Sequence, residues 1–278
     1  MGYSSNMKAK KHLGQHFLTS QKALFDMVTA GNIHKEDLVL EIGPGKGVLT
    51  EKLLELAGKV IAIEKDTDLI PLLKEKFAKE IESGKLEILQ RDILLFDPTI
   101  LKEYKKPYKL IANIPYYITG AIIEQFLSTS YQPERMVLLI QKEVAERIIA
   151  RDQKTGNLGG KQSVLSIAVS AYGTPKIIAK VPAGAFFPPP KVDSAIISIE
   201  NISLDFFKDV DEKLFFEILK HCFNQKRKQL LGSLKDFLGE RTKAQQVLQQ
   251  ADIPETARPE TLSKEDWKIL TQSISVSN

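Results

Sequence analysis

Through the first two-thirds of the chain, short apolar runs alternate with longer stretches in which apolar residues recur every three or four positions. Leu38-Val39-Leu40-Glu41-Ile42 reads as a buried strand that runs into glycines. From Gly47 to Leu56 the apolar positions Val48, Leu49, Leu53, Leu54 and Leu56 have helical spacing. Lys59 to Glu64 is the next strand, followed by a helix over Leu69 to Glu80 and a third strand from Lys85 to Leu89. Tyr108 to Asn113 reads as a fourth strand with a helix over Ile118 to Ser128. Met136 to Gln141 reads as a fifth, leading into a helix from Lys142 to Arg151. Strand and helix in this alternation predict an α/β fold, a parallel sheet covered on both faces. Ligands of such a sheet bind at the carboxyl ends of its strands.

After Gly173 the rhythm changes. Lys176 to Val181 and Lys191 to Glu200 have strand character and are separated by Pro182 and the stiff Pro188-Pro189-Pro190, with no helix-length segment between them. That suits an antiparallel pair at one edge of the sheet. From Leu204 onward the pattern is helical, with helices expected to start near Glu212, Gln225, Ala244 and Ser263. The expected division is therefore an α/β domain over 1–203 and a small all-helical domain over 204–278. No internal repeat is visible.

Composition narrows the picture. The 278 residues are 43% hydrophobic, enough for a core. The net charge of +4 is too mild to identify a nucleic-acid binder, so the placement of the charge matters more. From Met1 to Lys22 there are Lys8, Lys10, Lys11 and Lys22 and no acid, and Lys226-Arg227-Lys228 form a second basic run. Either run can equally be a solvated surface. Cys222 is the only cysteine, which excludes an internal disulfide and any metal site built from several thiolates, and fits a reducing cytoplasm. No run approaches the roughly 18–20 apolar residues of a membrane span. The first twenty residues lack the apolar stretch of a secretory signal.

The candidate chemistry sits at strand ends. Glu41-Ile42-Gly43-Pro44-Gly45-Lys46-Gly47 joins the first strand to its helix. Glycines there let the backbone turn sharply and approach a ligand without a Cβ in the way. The G-x-G-x-G spacing differs from the G-x-G-x-x-G of dinucleotide enzymes, which disfavours a dehydrogenase. Glu64 ends the second strand, where a carboxylate can accept two ribose hydroxyls. Asp92 follows the third strand, placed to accept an adenine amine with Ile93 against the ring. Each acid alone reads as surface charge; at three successive strand ends, loop and acids together point to an adenosine-bearing cofactor.

Asn113-Ile114-Pro115-Tyr116 closes the fourth strand. The N6 of adenine is a poor nucleophile because its lone pair is delocalised into the ring. Two acceptors fixed on its two amine hydrogens favour the tetrahedral geometry that attack on a methyl requires. The Asn113 side-chain oxygen and the carbonyl of Ile114 or Pro115 can serve, with Pro115 stiffening the turn. Tyr116 offers a flat face for the base, a contact worth about 1–3 kcal/mol in single-strand binders. No strong general base is needed, because a methylated ammonium loses its proton easily.

With these motifs in view, the chain resembles the KsgA family of small-subunit rRNA adenine dimethyltransferases over nearly its whole length. Lys11 to Leu18 is similar to the family's N-terminal cofactor-lid motif and Asn113 to Tyr116 to its adenine-amine motif. Gln141 to Ala145 resembles its helix after the fifth strand, and Pro188 to Ser194 its late target-base loop. Phe223 to Lys228 and Arg258 to Ser263 resemble its helical domain. The resemblance implies a Rossmann-like class I methyltransferase fold, mostly parallel with one antiparallel edge pair, and S-adenosylmethionine as cofactor with no metal. By resemblance the cofactor is held by His16, Leu18, Gly43, Gly45, Glu64, Lys65, Asp92, Ile93 and Asn113. His16 stands where many members have Asn, though imidazole can also donate. Catalysis is expected of Asn113, Pro115, Tyr116 and Phe186, the last covering the second face of a flipped base.

The implied reaction is dimethylation of two adjacent adenosines near the 3′ end of small-subunit rRNA. The expected setting is a pre-30S particle in the cytoplasm, with the protein acting as a monomer and without a membrane. Lys10, Lys11, Arg147, Lys226, Arg227 and Lys228 are then expected to meet RNA phosphates, although Arg147 can instead pair with Glu143. Two other readings share part of this pattern. One is a large-subunit methyltransferase of the macrolide-resistance type; the other is a non-catalytic ribosome-assembly factor. The triple-proline loop with Lys191-Val192-Asp193-Ser194 and the Arg258-Pro259-Glu260 segment favour the small-subunit reading, and the intact Gly43, Glu64, Asp92 and Asn113 set favours an enzyme.

Overall fold

The structure, a computed structural model, describes residues 10, 14–149, 161–225 and 228–277. Its main sheet has seven strands in the order β4-β3-β2-β5-β6-β9-β7. These are β2 (Leu38–Ile42), β3 (Lys59–Glu64), β4 (Leu86–Gln90), β5 (Tyr108–Asn113), β6 (Arg135–Gln141), β7 (Thr174–Val181) and β9 (Ser194–Glu200). Strands β2 to β6 run parallel, and β9 lies antiparallel between β6 and β7. The expected edge pair is therefore present, with one of its members inserted against β6. The central strands are buried at nearly every position because helices cover both faces, which explains their continuous apolar runs. A separate two-stranded ladder joins β1 (Phe17–Leu18) to β8 (Phe186–Phe187).

The chain runs β2-β3-β4 outward in one direction, then returns to place β5 on the other side of β2. A crevice forms at such a reversal, at the carboxyl ends of the flanking strands. Helices α1 (Gln21–Gly31), α2 (Val48–Leu56), α3 (Leu69–Lys76), α4 (Ala78–Glu82) and α5 (Thr119–Leu127) belong to this unit. Helix α1 is absent from the sequence-based assignment, although Ser20 caps it by accepting from Ala23 and it buries Ala23, Leu24, Met27 and Val28. The helix expected over Leu69 to Glu80 is broken at Phe77, whose ring packs where a Cβ on Gly47 would lie at 2.5 Å.

The chain forms two compact units, 1–145 with 174–202, and 146–173 with 203–278. The expected boundary at 203/204 is close, but a single cut is a correction to make. Residues 146–173, including α7 (Val164–Tyr172), group with the helical unit, and α6 (Lys142–Ile148) spans the division. Helix α7 starts in a capping box in which Ser163 and Ser166 satisfy each other's backbone N–H. The helical unit also holds α8 (Glu212–Asn224), α9 (Leu230–Leu238), α10 (Arg241–Gln250) and α11 (Lys264–Ser277) around Ile167, Phe215, Cys222, Leu234, Leu248 and Trp267. The helix expected from Gln225 begins at Leu230. Cys222 is fully buried, and burial pushes its thiol up to about 12, so it is inert packing.

A candidate adenosine and amine cleft at the strand ends

The loop between β2 and α2 forms the floor. Gly43, Gly45 and Gly47 have φ of 67°, 60° and 74°, a left-handed alternation that side chains disfavour. The Gly43 N–H donates to the Ile63 carbonyl at 2.9 Å, which ties the loop to β3. A Cβ at Gly43 would find only the Asn113 carbonyl, 3.9 Å away, so the backbone faces open space there. The cleft encloses about 1240 Å³, part of it open to solvent, and lies wholly within the first unit.

Two of the three strand-end acids are held under strain of charge. Glu64 is 6% exposed; its Oε1 accepts the Asp66 N–H at 2.8 Å and its Oε2 the Gly45 N–H at 3.1 Å. Each oxygen keeps a further lone pair for a ligand hydroxyl. Burial holds this carboxyl above the ordinary carboxylate range. Glu41 is 1% exposed, and its Oε2 has no hydrogen-bond partner. Burial pushes its carboxyl up to about 8, the charge of Glu64 adding to the push. Asp92 differs: Lys65 Nζ sits 2.8 Å from its Oδ2, and its Oδ1 accepts the Leu94 N–H at 3.0 Å. The Lys65 contact holds it below the usual range.

Opposite the acids lies the amine-binding turn. Asn113 Nδ2 donates to the His16 carbonyl at 3.2 Å, which leaves Oδ1 as the free acceptor of that amide. The sequence left open whether Ile114 or Pro115 supplies the second acceptor. The Pro115 carbonyl accepts the Ile118 N–H at 3.2 Å, whereas no described residue donates to the Ile114 carbonyl. Tyr116 is oriented by a 2.6 Å hydrogen bond between its hydroxyl and Ser194 Oγ, and its ring lies 6.0 Å from that of His16 at 21°. His16 Nδ1 carries the ring proton, because it lies 2.8 Å from the Pro188 carbonyl, which can only accept.

All nine residues expected to hold the cofactor line this cleft, from His16, Leu18, Gly43 and Gly45 through Glu64, Lys65, Asp92 and Ile93 to Asn113, as do Pro115 and Tyr116. Phe186 does not. It is 4% exposed in the core cluster, while its neighbour Phe187 is 69% exposed. Successive strand residues face opposite ways; here Phe186 takes the core side and Phe187 the exposed side, so the structure does not bring Phe186 into the cleft as a cover for the base. Of the basic residues, Lys10 is committed to Asp66 and Asp68, both at 2.6 Å, and Lys228 lies 3.0 Å from Asp236. Arg147 is exposed on α6, and Lys11, Lys226 and Arg227 lie outside the described residues. The sequence reading gave no role to Glu41, Gln15 or Asp66. A lone acid in a buried strand was the available signal for Glu41, and the Lys11 to Leu18 motif for Gln15; nothing local marked Asp66. Among the described residues no group of three or more His, Cys, Asp or Glu can hold a metal, and no helix is long and apolar enough to cross a membrane.

The family model described as ribosomal RNA adenine dimethylase matches residues 6–275. A "Ribosomal RNA small subunit methyltransferase A" of Dehalococcoides mccartyi is 43% identical over 97% of this chain and 89% of its own length. One from Clostridium botulinum is 39% identical over 96% and 94%. A dimethyladenosine transferase from Plasmodium falciparum superposes with a TM-score of 0.77 at 27% identity, covering 94% of this chain and 98% of that one. The 23S rRNA methyltransferase ErmE superposes at 0.68 with 25% identity, covering 93% and 99%.

Proposed function

From a chain that belongs to the ribosomal RNA adenine dimethylase family, we propose that the cleft binds S-adenosylmethionine and methylates N6 of two adjacent adenosines near the 3′ end of small-subunit rRNA. The enzyme is an rRNA adenine dimethyltransferase. The observation that carries the reading is the Asn113 amide: its nitrogen is spent on the His16 carbonyl, so its oxygen is the group left to grip an amine.

The residues present fit an adenosine-bearing cofactor. Glu64, nearly buried at the end of β3, suits a pair of vicinal hydroxyls, and Asp92 beside Ile93 suits an exocyclic amine and a ring face. The open backbone at Gly43 admits a ligand that a Cβ would exclude. When bound, S-adenosylmethionine supplies a methyl made electrophilic by a positively charged sulfur. Asn113 Oδ1 and the Ile114 carbonyl then accept the two N6 hydrogens and favour the tetrahedral nitrogen. Tyr116, pinned by Ser194, presents its ring to the base. Extruding that base costs a few kcal/mol, less in a loop. The proton leaves to water from the acidic methylammonium.

The proposed substrate is small-subunit RNA within a pre-30S particle, met by a monomer in the cytoplasm. Lys10, Lys11, Arg147, Lys226, Arg227 and Lys228 are proposed phosphate contacts, Lys10 and Lys228 from within the ion pairs described above. Incubation of the purified protein with unmethylated 30S particles and radiolabelled methyl donor, followed by mass mapping, tests the reading. Label on two adjacent adenosines near the 3′ end is expected. Label confined to large-subunit RNA, or none at all, overturns it.

A further inference from the structure

Gly14 to Leu18 line the cleft as a strap, and the contacts at the strap's two ends are of different kinds. At its far end it is fastened to β8 and the residue before it: the Thr19 N–H donates to the Ala185 carbonyl at 2.8 Å, and Phe17–Leu18 pair with Phe186–Phe187. At its near end it is fastened chiefly to Asp66, with Lys10 also 2.6 Å from Asp68. Asp66, 4% exposed, accepts Lys10 Nζ at 2.6 Å and the Asp68 N–H at 3.1 Å on Oδ1, and Gln15 Nε2 at 2.7 Å on Oδ2. The Lys10 N–H donates to Gln15 Oε1 at 2.8 Å, which closes the ring of contacts. Asp66 is not itself among the residues that line the cleft.

Its neighbours on both sides do. The Asp66 N–H donates to Glu64 Oε1 at 2.8 Å, so the backbone that holds the ribose acid also carries the strap's anchor. The residue after Gln15 is His16, whose carbonyl accepts Asn113 Nδ2. That bond decides which end of the Asn113 amide faces the cleft. We propose that Asp66 is a positioning residue: by clamping Gln15 and Lys10 it holds the His16 carbonyl in place, and so sets the Asn113 amide in register with the acid that grips the methyl donor. Fastening Gln15 to Leu18 along the cleft and aiming the amide acceptor are then one arrangement. The inference rests on the role given above to Asn113.

The hydrogen-bond pattern supplies its own test. Asp66→Asn places an amide N–H₂ against Gln15 Nε2, donor against donor. Turning the Gln15 amide over gives no relief, because Oε1 already accepts from Lys10. Gln15→Glu places oxygen against oxygen. The double variant D66N/Q15E exchanges donor and acceptor and restores every bond in the ring. In the protein without donor, hydrogen exchange of the strap amides from 15 to 19 is expected to speed up about tenfold in each single variant and to return to the parent rate in the double, as loss and recovery of about one charge-assisted hydrogen bond requires. With donor saturating, and at a temperature where circular dichroism shows all variants folded, kcat is expected to fall about tenfold in each single variant and to recover within about threefold in the double. A merely structural Asp66 would leave kcat at saturation unchanged. Strap exchange unaltered in the single variants, no recovery in the double, or exchange that responds while kcat does not, each overturns the proposal. Should the parent protein transfer no methyl to adenine, the proposed function fails instead, and the exchange series still decides whether Asp66 clamps the strap.

Discussion

At the amino ends of the central strands, the buried charges are paired. Lys109, in β5, is nearly buried and lies 2.6 Å from Asp37 and 2.5 Å from the Asn32 carbonyl. Arg135, opening β6, lies 2.7 Å from Glu200, which also takes Lys176 at 2.8 Å. At the carboxyl ends of the same sheet, Glu41 and Glu64 sit in one cavity with their carboxyls pushed above the ordinary range, and one oxygen of Glu41 has no partner. The same kinds of side chain thus close off one end and leave the other unfinished. Unpaired buried acids cost stability, and a fold keeps them where a ligand uses them. A pocket with acceptors in excess suits a cation with hydroxyls and amines to donate.

The comparison can be broken from either end. The largest effect is expected from Asn113→Ala, which removes an acceptor aimed at the reacting nitrogen. Methyl transfer should fall by about 10²–10³-fold, as for a lost oxyanion-hole donor, while calorimetry still detects donor binding. Near-normal turnover would remove Asn113 from the chemistry. Next, Glu41→Gln should flatten the pH dependence of stability. The Glu41 carboxyl titrates near 8 when folded against 4.5 in its ordinary state, so the folded chain binds the extra proton. Stability associated with it is full below about pH 4.5 and is lost as pH rises towards 8, by a few kcal/mol at most. Thermal melts at pH 5 and pH 8 should therefore show Glu41→Gln gaining more at pH 8; equal shifts at both would contradict the burial argument.

At the closed end, Lys109→Ala should lower stability by about 2 kcal/mol, by leaving Asp37 half-buried and unpaired, with donor affinity unchanged. A change in affinity without a change in melting temperature would erase the distinction between the two ends. The smallest effect is expected from Glu64→Ala, which should raise the donor dissociation constant about tenfold through the lost ribose contact. An unchanged constant would take Glu64 out of the pocket.

Much of the open end was legible in the sequence because local chemistry marks it. Glycines at alternate positions, acids at the ends of apolar runs and Asn113-Ile114-Pro115-Tyr116 carry their own reasons, and all of these residues meet in one cleft. What escaped depended on partners distant in the chain. Asp66 looks like any acid after a strand until Lys10 and Gln15 fold back onto it. Lys10, read as an RNA contact, is spent on that same anchor. Phe186 and Phe187 are indistinguishable in a run of apolar residues, and only pairing with Phe17–Leu18 decides which faces the core. The break at Phe77 arises from packing against Gly47 rather than from any helix-stopping residue. The regrouping of 146–173 with the helical unit follows from contacts such as the Ser203 N–H to the Tyr172 carbonyl and Tyr172 Oη to Glu212, which no periodicity announces.

A structure of the enzyme with a methyl donor analogue and an adenosine-bearing oligonucleotide addresses the amine grip most directly. Asn113 Oδ1 and the Ile114 carbonyl are expected at about 2.9 Å from the adenine N6, hydrogen-bond distance on both sides. An adenine amine contacting neither oxygen, with the Asn113 nitrogen facing it instead, would contradict the account.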